Sequence, residues 1–181
     1  MTYDEYIAQQ QQAIDEQPDM KTYTTTYSSP LGRIVMESDG EALTALLFGA
    51  EQSSSTQEAA SIPVFNEARR WLDEYFSGKR TVNAIMGEKT DTRIAAKPKG
   101  TAFQQRVWQA LLTIPYGETV SYGEVAQMVG CHSVQAVGQA VGANPVALLI
   151  PCHRVIAAHG KIGGYEYGIE FKKRLLELEQ R

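Results

Sequence analysis

The sequence predicts an α+β fold: a small N-terminal domain with an antiparallel sheet and a helix, then a mostly helical domain with a helix-turn-helix. Three observations predict it. Residues 23–48, "YTTTYSSPLGRIVMESDGEALTALLF", combine strand-forming Thr, Tyr, Val and Leu with two tight-turn signals, Ser29-Pro30-Leu31-Gly32 and Ser38-Asp39-Gly40. "PVFNEARRWLDEYFSGKR" carries apolar residues at helical spacing. Beyond residue 97, capping residues, apolar runs and stopping glycines recur at short intervals.

Taken in order, the elements divide the chain into an arm (1–20), an N-terminal domain (21–97) and a C-terminal domain (98–181). The arm is acidic and Gln-rich and reads either as a short amphipathic helix or as a frayed segment, ended by Pro18. Three strands follow between the two turns, then a polar loop, "AEQSSSTQEAASIP". In the next helix Val64, Ala68, Trp71, Leu72, Tyr75 and Phe76 share a face, and Gly78 stops it. Residues 81–94 offer one more strand, and "AAKPKGT" reads as a linker. Thr101 caps a helix bearing Phe103, Val107, Trp108, Leu111 and Leu112, ended by Pro115-Tyr116-Gly117. Ser121, with Glu124 three residues on, makes a capping box for "YGEVAQMVG". Ser133 caps "VQAVGQAVGAN", so two short helices joined by a tight turn form the helix-turn-helix. The second of these is nearly bare, with Ala136, Gly138, Ala140, Gly142 and Ala143. Glycine within a helix is costly, so either close approach to another surface or tight core packing must compensate. "GIEFKKRLLELEQR" closes the chain as an amphipathic helix, with Ile169, Leu175, Leu176 and Leu178 apolar and Lys172, Lys173 and Arg174 mostly solvated.

Composition narrows the function classes. No apolar run reaches membrane-spanning length, and the N-terminus lacks the basic start and apolar centre of a signal peptide, so a cytoplasmic location is expected. Two cysteines, Cys131 and Cys152, exclude a disulfide framework, and with no C-x-x-C pair a Cys-rich zinc site is not expected. Net charge is −4, but unevenly spread: residues 1–97 carry 9 Lys/Arg against 15 Asp/Glu, and residues 98–181 carry 8 against 6. A polyanion would meet the C-terminal half, steered by only a modest field.

The chemistry centres on "IPCHRV", residues 150–155. A cysteine is nucleophilic only as thiolate, which needs a neighbouring base or cation, and His153 and Arg154 adjoin Cys152. Pro151 sharpens the turn presenting the thiol. The competing reading is a buried turn whose thiol merely packs, since neighbouring side chains usually diverge. Downstream, "HGKIGGYEYG" joins glycine turns to two tyrosine faces, suited either to walling a pocket for a planar ring or to a surface hairpin. Glu179 is an acid that could reach back to a histidine.

The pieces "GTAFQQRVWQALLTIPYGETVSYGEVA", "AVGQAVGANPV", "IPCHRVIAAHGKIGGY" and "FKKRLLELE" closely resemble the methylated-DNA–protein-cysteine methyltransferases, the O6-alkylguanine-DNA alkyltransferases. "SPLGRIVMESDGEALTALLF" and "WLDEYFSGKR" resemble that family's first domain, so the likeness runs from about residue 23 to 179. It implies a ribonuclease-H-like α/β N-terminal domain and a winged-helix-like C-terminal one. It also implies a monomer that binds double-stranded DNA containing O6-alkylguanine in the minor groove and flips the damaged base into a pocket, needing no cofactor and no metal. O4-alkylthymine is a further candidate substrate. By matching position, Cys152 is the alkyl acceptor, His153 the base acting through a water, Glu179 the residue that orients it and Asn144 the support of the turn. Tyr122 helps rotate the nucleotide, and Val155, Tyr165, Glu166 and Tyr167 lie at the base pocket. Gln135, Ala136, Gly138 and Gln139 lie on the DNA-binding helix, and Arg154 is a structural clamp. The thioether product is stable, so each molecule acts once.

The chain departs from the family pattern in three places. Gln135 stands where the family usually has an arginine that fills the gap in the base stack. The turn before that helix is one residue shorter. Glu166-Tyr167-Gly168 replaces a small residue and two glycines, so Tyr167 is expected to narrow the pocket. Two rival classes follow. One is a lesion-binding protein that recognises the flipped base and recruits other repair factors without transfer, as relatives lacking the cysteine do. The other is a sequence-reading regulator, disfavoured because the Ala/Gly helix has few side chains able to read base edges. A plain cysteine hydrolase is a weaker third reading.

Overall fold

A computed structural model describes residues 21–50, 57–58, 61–79 and 94–180. Strands β1 (Tyr23–Ser29), β2 (Gly32–Ser38) and β3 (Leu43–Phe48) form an antiparallel meander. The two turns are built as their residues dictate. Ser29 Oγ donates to Gly32 O at 2.7 Å and accepts from Leu31 N at 3.1 Å. In the second turn Asp39 Oδ1 accepts from the backbone N–H groups of Glu41 and Ala42. Gly32 and Gly40 there have φ of +116° and +103°, where a side chain would be strained. A two-residue strand, β4 (Gln57–Glu58), pairs parallel with β1 inside the stretch expected to be only polar loop, giving the order β3-β2-β1-β4. Ile34, Met36, Leu43 and Leu46 are fully buried, and α1 (Pro63–Phe76) adds Val64, Phe65, Ala68, Trp71, Leu72 and Tyr75 to the core. Phe76, expected on that face, is only partly buried. The strand expected over 81–94 falls almost wholly outside the described residues.

The free edge of β3 is not left open. At one end Leu43 pairs with Ala96, so the segment that reads as a linker by composition instead docks on the sheet. At the other end Leu46 N donates to Pro145 O and Ala147 N donates to Leu46 O, tying β3 to the turn before Cys152. Residues 146–150, apolar enough for a strand, make only such isolated bridges.

The C-terminal part begins with α2 (Ala102–Leu111), whose capping box joins Thr101 and Gln104. It ends at Leu111, ahead of Pro115. Gly100 lies so close to the Trp108 indole that a Cβ there would collide with it. Helices α3 (Tyr122–Met128) and α4 (Val134–Gly142) form the helix-turn-helix. Ser121 and Glu124 make the expected capping box, and Ser133 Oγ accepts from Ala136 N. Trp108 Nε1 donates to Ala140 O at 2.8 Å, locking α2 against α4. Two-residue strands β5 (Val120–Ser121) and β6 (Val155–Ile156) pair in parallel, and α5 (Ile169–Glu179) closes the fold. One contiguous apolar core runs from the sheet through α1 and α2 to Leu175 of α5.

Candidate active site

Cys152 begins a single 3₁₀ turn, Cys152–Arg154, held in place from both sides. Upstream, Asn144 Nδ2 donates to Ile150 O at 2.8 Å and Asn144 Oδ1 accepts from Val146 N at 3.0 Å, so one amide side chain closes the turn from Asn144 to Ile150. Inside it Leu148 is buried with φ +67°, a conformation unusual for a branched side chain that the surrounding bonds must impose. Downstream, Val155 pairs with Val120.

Beneath the turn lies a buried polar cluster. His153 Nε2 meets Glu179 Oε1 at 2.6 Å. A carboxylate can only accept, so Nε2 carries the proton and Nδ1 is left as the acceptor. Nδ1 is buried and has no hydrogen-bond partner among the described residues. Arg154 donates from Nε to Glu179 Oε2 (2.9 Å), from Nη2 to Oε1 (3.1 Å) and from Nη1 to Ile114 O (2.8 Å). Gly117 N and the Tyr75 hydroxyl also donate to Glu179. Burial raises the Glu179 pKa, but His153 and Arg154 outweigh it and hold the carboxyl at about 2. Burial lowers the His153 pKa against the pull of Glu179, favouring a neutral ring that can take a proton. Burial likewise pushes the Cys152 thiol up, and contacts with Asn144 and Tyr165 and the charge of Lys172 oppose it.

Above the turn is a cavity of about 310 Å³ lined by Cys152, Asn144, Tyr122, Gly138, Tyr165 and Tyr167, among others. Cys152 therefore borders a space sized for a planar base, together with three tyrosines. Tyr122 donates to Gly164 O at 3.5 Å, and a Cβ on Gly138 would touch the Tyr122 ring. Tyr167 meets Phe48 of β3 edge-on at 5.2 Å and Tyr165 at 5.5 Å, so the sheet backs one wall. Glu166 lines the cavity and is otherwise exposed.

Several expectations need correction. Val155 is fully buried and is not among the cavity-lining residues; its carbonyl instead accepts from Lys172. Ala136 is fully buried with Val137, Ala140 and Val141 on the inner face of α4, out of reach of any surface partner. Gln135 is exposed, and Gly138 and Gln139 are half-buried. Lys172, expected in solvent, is buried: its Nζ donates to Val155 O and, at 3.0 Å, to Gly164 O. Burial lowers its pKa to about 8. Ile169 is instead exposed. Tyr75 and Lys172 are the site residues that sequence reasoning missed. Tyr75 showed only the spacing of a core residue, and Lys172 sat in a run of three cations that gave no sign of which one turns inward. Cys131 is a buried thiol, outside any disulfide, whose Sγ lies 3.5 Å from Ser133 O. No group of His, Cys, Asp and Glu able to hold a metal occurs among the described residues.

Known proteins carry the same arrangement of sequence. Residues 102–181 match the family described as 6-O-methylguanine DNA methyltransferase, DNA binding domain, and residues 22–85 match the ribonuclease-like domain of that name. The methylated-DNA–protein-cysteine methyltransferase of Haemophilus influenzae is 40% identical over 162 residues, 87% of this chain and 86% of that protein. The protein of the same name from Mycobacterium bovis is 44% identical over 158 residues, 86% of this chain and 90% of that one. The crystal structure of Mycobacterium tuberculosis OGT in complex with DNA superposes with a TM-score of 0.75 at 43% identity, covering 87% of this chain and 92% of that one. With most of its length matched at this level, the chain belongs to the 6-O-methylguanine DNA methyltransferase family.

Proposed function

We propose that this protein repairs alkylated DNA by direct reversal, taking the alkyl group of O6-alkylguanine, and of O4-alkylthymine, onto Cys152 once per molecule. The observation that carries the reading is Cys152 lining a base-sized cavity, next in the chain to His153 of the buried His153–Glu179 pair. Double-stranded DNA docks against the helix-turn-helix. Gln135, Gly138 and Gln139 face it, and the small residues of α4 let the helix sit in the minor groove. The damaged nucleotide leaves the stack, because its reactive carbon is out of reach within it. Tyr122 crowds the phosphate during that rotation, and Tyr165, Glu166 and Tyr167 receive the base. Asn144 holds the turn that aims the thiol.

The thiol proton passes through a water to His153 Nδ1, and Glu179 stabilises the imidazolium that forms. The sulfur attacks the alkyl carbon in line with the carbon–oxygen bond. A carbon–sulfur bond forms, the carbon–oxygen bond breaks, and guanine leaves with the electron pair on O6. The thioether has no route back to a thiol, so the reaction is stoichiometric and requires no cofactor. Residues 21–97 and 98–181 act as two domains sharing one core, and the arm expected over 1–20 lies outside the described residues. The protein works as a monomer in the cytoplasm, and no helix among the described residues is long and apolar enough to cross a membrane.

Intact-mass measurement after incubation with a duplex containing O6-methylguanine tests this. One added methyl group on the wild type, and none on Cys152→Ala, is the expected result. Tight binding of the duplex with no mass gain would overturn it in favour of a lesion-binding protein that recruits other factors.

A further inference from the structure

The Glu179 carboxylate that orients His153 is not held by C-terminal residues alone. Tyr75, on the last turn of α1, lies 104 residues away in sequence, yet its hydroxyl donates to Glu179 Oε1 at 2.8 Å. That oxygen is the one His153 Nε2 contacts at 2.6 Å, and the Tyr75 oxygen is itself 3.5 Å from Nε2. The ring is fully buried, stacked on Trp71 and edge-on to Tyr116 and His153, so it cannot swing away.

We propose that Tyr75 is a positioning residue: by sharing Glu179 Oε1 with His153, its hydroxyl sets how strongly the carboxylate holds the imidazole, and so the pH at which His153 can take the Cys152 proton. This rests on the alkyl-transfer reading above and extends it to the N-terminal helix. The physical reason is competition for one oxygen. A hydrogen bond donated to a carboxylate disperses its charge, and less of that charge remains to stabilise an imidazolium. The other groups around the pair are fixed. Arg154 donates to both Glu179 oxygens, from Nε to Oε2 and from Nη2 to Oε1 at 3.1 Å, Gly117 N donates to Oε2, Tyr116 packs against both Tyr75 and Arg154, and Lys172 of α5 is held by two carbonyls. Cys152 and Tyr165 lie on the cavity side. The Tyr75 phenol stays protonated, because burial and then Glu179 raise its pKa well above the usual tyrosine value.

Tyr75→Phe in the full chain keeps the ring and removes only the donor. His153 is titrated by NMR of its ring, and methyl transfer from an O6-methylguanine duplex is timed across pH. Both curves should move to higher pH by about half a unit, the acid limb of the rate profile following the histidine. The shift should vanish when Tyr75→Phe is placed on Glu179→Gln. Should Tyr75→Phe fail to fold, 3-fluorotyrosine at position 75, a stronger donor, should move both curves the opposite way. A uniform fall in rate with unmoved curves marks a merely structural tyrosine and overturns the inference. So does a shift that persists on Glu179→Gln. The NMR titration needs no turnover, so an inactive wild type would refute the alkyl-transfer reading while leaving this one to be decided on the histidine alone.

Discussion

The turn that presents Cys152 and the helix proposed to face DNA are built on opposite plans. From Asn144 to Arg154 most backbone N–H groups have an assigned partner, and the side chains of Asn144, His153, Arg154 and Glu179 are all buried. The start of α4 carries the Ser133 cap, then exposed Val134 and Gln135 and half-buried Gly138 and Gln139. Chemistry on a fixed sulfur needs over-determined geometry, since small displacements of a reacting group are costly. Docking in a groove needs a lean surface with little to move aside. Mutations should therefore cost stability in the first region and change binding in the second.

The largest break should come from Arg154→Met, which leaves the Glu179 carboxylate buried without its cation and Ile114 O without its donor. Removing one partner of a buried pair costs about 3–5 kcal/mol. Urea denaturation should show that loss, and a change under about 1 kcal/mol would mean that the pair contributes little. Acid should reach the same weakness by another route. The folded pKa of Glu179, about 2, lies below its ordinary 4.5, so its contribution is present above pH 4.5 and is lost as pH falls through about 2. The Arg154→Met protein should show a flatter stability curve across that window.

Asn144→Ala is the milder break. It strips the partner from Val146 N and one of two donors from Ile150 O, which keeps the Cys152 N–H, leaving one buried backbone group unpaired beside the strained Leu148. A cost of about 1–3 kcal/mol follows, with slower alkyl transfer because the turn loses its Asn144 bonds. Unchanged transfer with reduced stability would separate the fold of the turn from its aim.

What was legible in the sequence follows from how locally each feature is determined. The three strands, the two turns and the Thr101, Ser121 and Ser133 caps depend on residues within a few positions, and all are present. The four-position spacing of Val64, Ala68 and Leu72 was enough to bury the right face of α1. Features set by distant partners were not legible. The Ala96 docking needs the open edge of β3, more than fifty positions earlier. Lys172 is drawn inward by the carbonyls of Val155 and Gly164, which no pattern in a charged run discloses. Tyr75 reaches Glu179 only because α1 and α5 meet at the back of the site. Ala136 fails as a DNA contact for a simpler reason: in a helix with so few side chains, composition does not tell the inner face from the outer one.

The smallest expected effect sharpens the contrast from the other side. Gln135 is exposed on the first turn of α4, where no described hydrogen bond holds its side chain, so Gln135→Arg should change stability by no more than about 0.5 kcal/mol. Its consequence should appear only with DNA. One added cation near the phosphates should steepen the dependence of log affinity on log salt by about one. The longer side chain should also fill the space left by an extruded base better than glutamine does, so transfer from duplex DNA should quicken. Transfer from the free base O6-benzylguanine, which needs no extrusion, should not change. If both substrates quicken alike, position 135 acts on the turn and the two regions are coupled. If only the duplex reaction responds, extrusion at α4 and alkyl transfer at Cys152 are separable steps, and the bare helix limits the first without touching the second.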